Sequence, residues 1–215
     1  MAARATNFDV NDELDEYGLP RWGAPERNKG PLLEQLLRVL PSEGGTLLEV
    51  GSATGQHLAH FAAHLPAYRF QPTDCEPQHL VTLERRRVVL GLPNVAAPLR
   101  LDVTEHPWPV KRVDVVYSAN MVHIAPWSAA LGLFEGAGQC LGPGGLLLTY
   151  GPYKVSGQHT APSNERFDAS LRERNAAWGV RDIDELVSAA APHGLGLVER
   201  VAMPSNNFFL VWKKA

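Results

Sequence analysis

The chain has little cysteine, little net charge and no long apolar run. Only Cys75 and Cys140 occur among 215 residues, and neither belongs to a Cys-x-x-Cys pair. No disulfide framework is possible on that count, and a reducing compartment is expected. A net charge of -3 gives no electrostatic footprint for nucleic acid or for an acidic membrane surface, although a local basic groove is compatible with it. No apolar stretch approaches the roughly 18 residues of a membrane span. The start, MAARATNFDVNDEL, lacks the apolar core of a secretory leader. These absences point to the cytoplasm, with the nucleus also compatible. No internal repeat, low-complexity tract or linker-like break occurs.

What remains is ordinary globular material: 45% hydrophobic and 20% charged residues, enough for one domain with a full core. Residues 1–29 show no core pattern, and they are expected to form an arm or lid ahead of a domain at 30–215. From Pro31 the period turns helical, with Leu32, Leu33, Leu36, Leu37 and Leu40 on one face. Short apolar strands then alternate with helices: TLLEV, YRFQPTD, APLRLDV, VDVVYSAN and LLLTYG. That alternation predicts a parallel sheet built by right-handed crossovers. The last third departs from it. A loop-rich insertion at 151–181 and a helix near Asp182–Pro192 precede LGLVERVAMP and NNFFLVWKK. These two strands are joined too tightly for a parallel crossover, so they must pair antiparallel. The expected fold is therefore α/β: a Rossmann-like, seven-stranded, mostly parallel sheet with helices on both faces and an antiparallel C-terminal hairpin.

The stretch LLEVGSATGQHLAHF carries the chemistry. A strand entering a glycine turn at a helix N-terminus lets backbone N–H groups approach a ligand. Gly51, Ser52 and Gly55 lie in that turn, and Glu49 precedes it. Asp74 lies 25 residues after Glu49, at the end of the second strand, where a carboxylate can accept both ribose hydroxyls of an adenosine. Asp102, after the third strand, is placed for an adenine amino group. For each acid the alternative is a plain cap on helix N–H groups.

The spacing Glu49-Val-Gly51-Ser-Ala53-Thr-Gly55 resembles motif I of class I S-adenosylmethionine-dependent methyltransferases. It departs from the Gly-x-Gly-x-x-Gly of dinucleotide dehydrogenases, and Ala53 departs from the usual glycine of motif I. More closely, ANMVHIAPW, GPYKVSGQHTAPSNERFD and AWGVRD resemble the methyltransferase-like protein 26 family and its bacterial relatives. The resemblance covers residues 28–213. It implies the methyltransferase fold and S-adenosylmethionine as cofactor, and it supplies no substrate. It also implies cofactor roles for Glu49, Gly51, Gly55, Asp74 and Asp102, and for Asn120 beside the transferring methyl. Arg27 and Asn28 would reach the cofactor's methionine end.

A methyl transferase must align a nucleophile with the methyl group and exclude water, and it needs a base only for a protonated acceptor. His123 is the candidate base, with a structural histidine as its alternative. Tyr153, His159 and Asn164 are candidate substrate contacts within the insertion, whose polar and aromatic mixture suits a small polar substrate. The expected function is methyl transfer to a small molecule. The rival is a cofactor-binding regulatory or interaction protein without turnover, and an NAD-dependent oxidoreductase is a third reading. His57, His60 and His64 share a helix face, but lack a carboxylate or cysteine partner, so a solvated face is expected and no metal. Arg85, Arg86 and Arg87 are likewise expected to be a solvated charge run.

Overall fold

The computed structural model describes residues 13–215. Part of the expected arm, residues 1–12, lies outside them. Described elements begin with a small hairpin, β1 (Glu13–Leu14) and β2 (Pro20–Arg21), and helix α1 (Gly23–Val39). Strand β3 (Gly45–Val50), α2 (Gln56–His64), β4 (Tyr68–Asp74), α3 (Pro77–Val89), β5 (Leu99–Arg100) and β6 (Val113–Ala119) follow. After a 3-10 turn at Met121–His123 come α4 (Trp127–Cys140) and β7 (Leu141–Gly151). The insertion holds a two-stranded ribbon, β8 (Lys154–Val155) and β9 (Gln158–His159), and α5 (Pro162–Arg174). The chain closes with α6 (Ile183–Ala190), β10 (Leu195–Met203) and β11 (Asn207–Lys214).

The main sheet has seven strands in the order β10-β11-β7-β6-β3-β4-β5. Strands β3 to β7 run parallel, whereas β11 is antiparallel to both β7 and β10. The expected fold is the observed one. Its centre reads as near-continuous apolar runs because both faces are covered. Alternate residues serve opposite layers. Leu48, Val116, Leu147 and Trp212 pack with Leu133, Phe134 and Leu186 of α4 and α6. Their neighbours Leu47, Val115, Leu148 and Val211 pack with Leu36, Phe61 and Leu83 of α1, α2 and α3.

Three local expectations need correction. The first helix starts at Gly23, eight residues before Pro31, and carries that proline inside it. Pro25 and Glu26 in its first turn favour the start, by a preset φ and by charge against the helix dipole. The preceding segment is not without core: Leu19 is 0% exposed. The third strand is shorter than APLRLDV, since only Leu99 and Arg100 join the ladder at the sheet edge. Beyond these, residues 142–145 loop out inside β7, where the pairing with β6 jumps from Val113↔Leu141 to Val115↔Leu146.

Candidate functional site

The parallel strands all end on one side of the sheet, and the predicted cofactor residues gather there. Strand β3 delivers Glu49 and then turns sharply. Gly51 and Ser52 both donate their N–H groups to the Thr73 carbonyl at the end of β4, at 3.0 and 2.9 Å. Gly51 has φ +74° and Gly55 φ +73°, the left-handed region that glycine enters without steric cost. Ala53 sits at φ +48°, so the residue that departs from the motif takes that conformation with a side chain. A side chain at Gly55 would meet Leu83 at 2.8 Å, so α3 closes on the turn directly.

Two buried carboxylates face this turn. Glu49 is buried, and its Oε2 has no hydrogen-bond partner among the described residues. Burial pushes its pKa up to about 8; Ser52 works against the rise, and the neighbouring Asp74 charge adds to it. Asp74 is buried too, but well partnered. Its Oδ2 accepts the Ala53 N–H at 2.9 Å, and its Oδ1 accepts the Glu76 N–H at 3.0 Å. His79 Nδ1 lies 3.0 Å from the same Oδ1. Asp74 thus ties the glycine turn to the start of α3. Asp102 accepts both the Thr104 N–H, at 2.9 Å, and the Thr104 hydroxyl, at 2.7 Å. That is a local turn closed by the Asp102 side chain, two residues beyond the edge strand, and not a helix cap, since no helix lies between β5 and β6.

The N-terminal segment reaches this site. The Gln56 carboxamide accepts the Trp22 N–H at 2.7 Å and donates to the Trp22 carbonyl and to Glu26. The Trp22 ring stands edge-on to His79, 5.9 Å away. Arg27 is exposed, whereas Asn28 is half-buried and accepts from His57 Nε2 at 2.6 Å. His57 is therefore no solvated residue. It is buried against Phe61 and Tyr117, and burial lowers its pKa to about 3. Arg86 corrects the charge-run expectation as well. It is 5% exposed, and it donates to the Thr54 carbonyl, the Asp15 carboxylate and the Pro20 carbonyl. Sequence patterning missed it because an arginine flanks it on either side; the one available signal was its place on the face of α3 that Leu83 buries.

At the end of β6, Asn120 adopts φ +61° and donates its N–H to the Tyr150 carbonyl at 2.7 Å. His123 follows in the 3-10 turn and is 0% exposed. Its Nδ1 accepts the Arg181 backbone N–H at 3.2 Å, its carbonyl accepts the Gly179 N–H, and its ring meets Tyr153 edge-on at 4.7 Å. Burial lowers its pKa to about 3, helped by the Arg181 charge. The geometry therefore sets His123 apart from an ordinary general base: it is neutral, wedged and committed at Nδ1.

The candidate substrate contacts are structural in this arrangement. Tyr153 is 0% exposed and belongs to the core beneath the insertion. Asn164 is buried and joins α5 to the end of the final hairpin, donating to the Thr160 hydroxyl and the Asn206 carbonyl. His159 Nε2 lies 3.3 Å from the Asp168 carboxylate, which Lys154 and Arg172 also approach, at 3.3 and 3.2 Å. Asp168 is the hub that sequence patterning underrated. It also accepts the Val180 N–H at 2.7 Å. Burial works to raise its pKa, but this N–H and Lys154 hold it below the usual carboxylate value.

Residues 21–214 match the family described as "Protein of unknown function (DUF938)", and the chain belongs to it. Among solved structures the chain is similar to the mitomycin 7-O-methyltransferase MmcR, at 14% identity and TM-score 0.74, with 88% of this chain and 54% of that one covered. It is similar to an O-methyltransferase family 2 protein from Planctomyces limnophilus in complex with apigenin, at 18% identity and TM-score 0.72, with 89% and 61% covered. It is also similar to CalO1, a methyltransferase in calicheamicin biosynthesis in its SAH-bound form, at 18% identity and TM-score 0.71, with 90% and 56% covered. These likenesses show the class I methyltransferase fold. The chain spans just over half the length of the first structures it matches. Among the described residues no helix is long and apolar enough to cross a membrane.

Proposed function

We propose that the protein transfers a methyl group from S-adenosylmethionine to a small-molecule acceptor. One observation carries the reading: a glycine turn at the end of the central strand is faced by two buried carboxylates, Glu49 and Asp74, and one Glu49 oxygen has no partner among the described residues. A buried carboxyl of this kind is costly unless a cationic or donor-rich ligand completes it. S-adenosylmethionine brings a sulfonium, an ammonium and two ribose hydroxyls, so the residues present fit it.

In this reading the backbone of Gly51, Ser52 and Gly55 shapes the cradle and Glu49 meets positive charge. Asp74 holds the ribose and Asp102 the adenine amino group. Asn120, with Arg27 and Asn28, borders the methionine end. The segment around Trp22 lies across α2 and α3 as the lid. When bound, the cofactor supplies an electrophilic methyl group. The chain's own work is then to align an acceptor and keep water out. His123 serves that alignment from beneath. The apigenin and SAH bound by two structural neighbours, and the resemblance to the methyltransferase-like protein 26 family, support the same reading. Calorimetric titration with S-adenosylhomocysteine tests it, with NAD as the control. Binding of NAD alone would overturn it. Methyl transfer from labelled cofactor into a metabolite extract separates an enzyme from a cofactor-binding protein without turnover.

A further inference from the structure

The proton on His123 has a fixed place. Its Nδ1 accepts the Arg181 backbone N–H at 3.2 Å, and a backbone amide can only donate. Nδ1 therefore carries the lone pair, and the ring proton of the neutral side chain sits on Nε2. That Nε2–H is buried and has no partner among the described residues. The ring cannot turn to find one. Its backbone is held by Asn120 on one side and Gly179 on the other, and Tyr153 packs its face.

The place Nε2 occupies is informative. It lies 2.4 Å from the point where a Cβ on Gly151 would stand, and the Asn120 Oδ1 lies 3.3 Å from the same point. Asn120 directly follows β6 and Gly151 ends the adjacent β7, the two strands being paired one step earlier through Ala119↔Tyr150. An orphan donor thus sits against Gly151, a residue with no side chain, and beside the Asn120 carboxamide, at the carboxyl end of the strands where the cofactor's methyl would be presented. A buried unpaired N–H costs roughly 1–3 kcal/mol. An oxygen carrying lone pairs removes that cost.

We infer that His123 donates its Nε2–H to an acceptor oxygen that is already ionised, a carboxylate or acidic phenol, and that it takes no proton during transfer. This rests on the methyltransferase reading and names the acceptor class for that site. The acceptor reaches Nε2 by turning aside the Asn120 side chain. Its oxygen lone pair forms the new bond to the methyl carbon as the carbon–sulfur bond breaks. The released pair stays on sulfur, the sulfonium becomes a neutral thioether, and no proton is left to place. The other groups at this edge agree. Burial raises the pKa of both Tyr150 and Tyr153, so neither phenol is a base.

The test has a spectroscopic arm and a kinetic arm. In full-length protein labelled with 15N-histidine, long-range proton–nitrogen spectra between pH 5.5 and 9 should show His123 as the Nε2–H tautomer without titration. In the S-adenosylhomocysteine complex, benzoate or 4-nitrophenol should shift that resonance and benzyl alcohol should not. With labelled S-adenosylmethionine, methyl should pass to the two anionic probes and not to benzyl alcohol or benzylamine. His123→Phe should raise KM for the anionic probes by about 10- to 100-fold, the worth of one hydrogen bond to a charged oxygen, with kcat little lowered, and His123→Gln should recover part of the affinity. An Nδ1–H tautomer, a titration near neutral pH, transfer to neutral probes alone, or no shift with either anionic probe overturns the inference. Absence of S-adenosylhomocysteine binding overturns the methyltransferase reading instead, and the tautomer is read independently of it.

Discussion

The Arg86 guanidinium lies 2.7 Å from the Asp15 carboxylate, and the two residues are 71 positions apart. The same guanidinium donates to the Thr54 carbonyl inside the glycine turn and to the Pro20 carbonyl in the N-terminal hairpin. One buried side chain therefore holds the N-terminal segment, the glycine turn and α3 together. Removing the guanidinium leaves the part-buried Asp15 carboxylate and two carbonyls without their donor, at a cost of about 1–3 kcal/mol. Arg86→Met should lower the melting temperature clearly and weaken S-adenosylhomocysteine binding at least tenfold, although Arg86 is not placed on the cofactor. Thermal denaturation and calorimetry read both. A variant with wild-type stability and affinity would remove the clamp from the account.

Deleting residues 1–21 follows the same logic. The absence of a core pattern over residues 1–29 would, taken alone, let an arm there go with little cost to the ligand-free fold. Leu19, fully buried, and Asp15, bonded to Arg86, predict otherwise. Loss of a buried leucine alone costs about 2–5 kcal/mol. The truncated chain should melt earlier without ligand and also bind S-adenosylhomocysteine more weakly. Unchanged melting in the absence of ligand would return the arm to the status of a separable lid.

Most of this architecture was legible in the chain. Period and turn chemistry predicted the sheet, the antiparallel hairpin and the glycine turn, because those signals are local. The errors about which site side chains are buried share one cause: burial by distant segments. Arg86 read as solvated because arginines flank it, and His57 because it shares a helix face with His60 and His64. Their partners Asp15 and Asn28 lie 71 and 29 residues away, and no period reports such pairings. His123 was marked by its place after strand four, but its tautomer depends on the backbone of Arg181, 58 residues on.

Glu49 predicts a pH dependence. Its folded pKa of about 8 stands above the ordinary glutamate value, so the folded state holds a proton that the unfolded chain releases first. The stabilisation is complete below about pH 4.5 and is lost as pH rises through about 8. Ligand-free Glu49→Gln should therefore gain melting temperature over wild type at pH 8 and gain little at pH 5. Binding a cation to this carboxyl should release a proton near pH 7, seen as a binding enthalpy that changes with the ionisation enthalpy of the buffer. An enthalpy independent of buffer would show that Glu49 keeps its proton.

Asp74→Asn separates the ribose role from capping. The amide keeps the size of the carboxylate and one oxygen for the Ala53 or Glu76 N–H, so most of the turn should survive. It loses the charge that makes each bond to a ribose hydroxyl worth roughly 1.5–3 kcal/mol. S-adenosylhomocysteine affinity should fall about a hundredfold, with only a small change in melting temperature. A large loss of stability with unchanged affinity would make Asp74 a cap and nothing more.

Gly151→Ala probes the geometry beneath the sheet edge. The added methyl would stand 2.4 Å from His123 Nε2 and 2.7 Å from its Cδ2, closer than atoms in contact allow. The imidazole has no free direction, since Arg181, Gly179 and Tyr153 fix it. Overpacking at such a point costs about 1–3 kcal/mol. The single variant should therefore melt earlier than wild type. His123→Ala alone should also melt earlier, through the cavity it leaves. In the double variant the new methyl takes up part of the space vacated by the ring, so the two losses should be far from additive. Thermal or urea denaturation of the four proteins gives the coupling directly. Simple additivity would mean that Gly151 and His123 do not share the space assigned to them, and the donor would no longer face the end of β7.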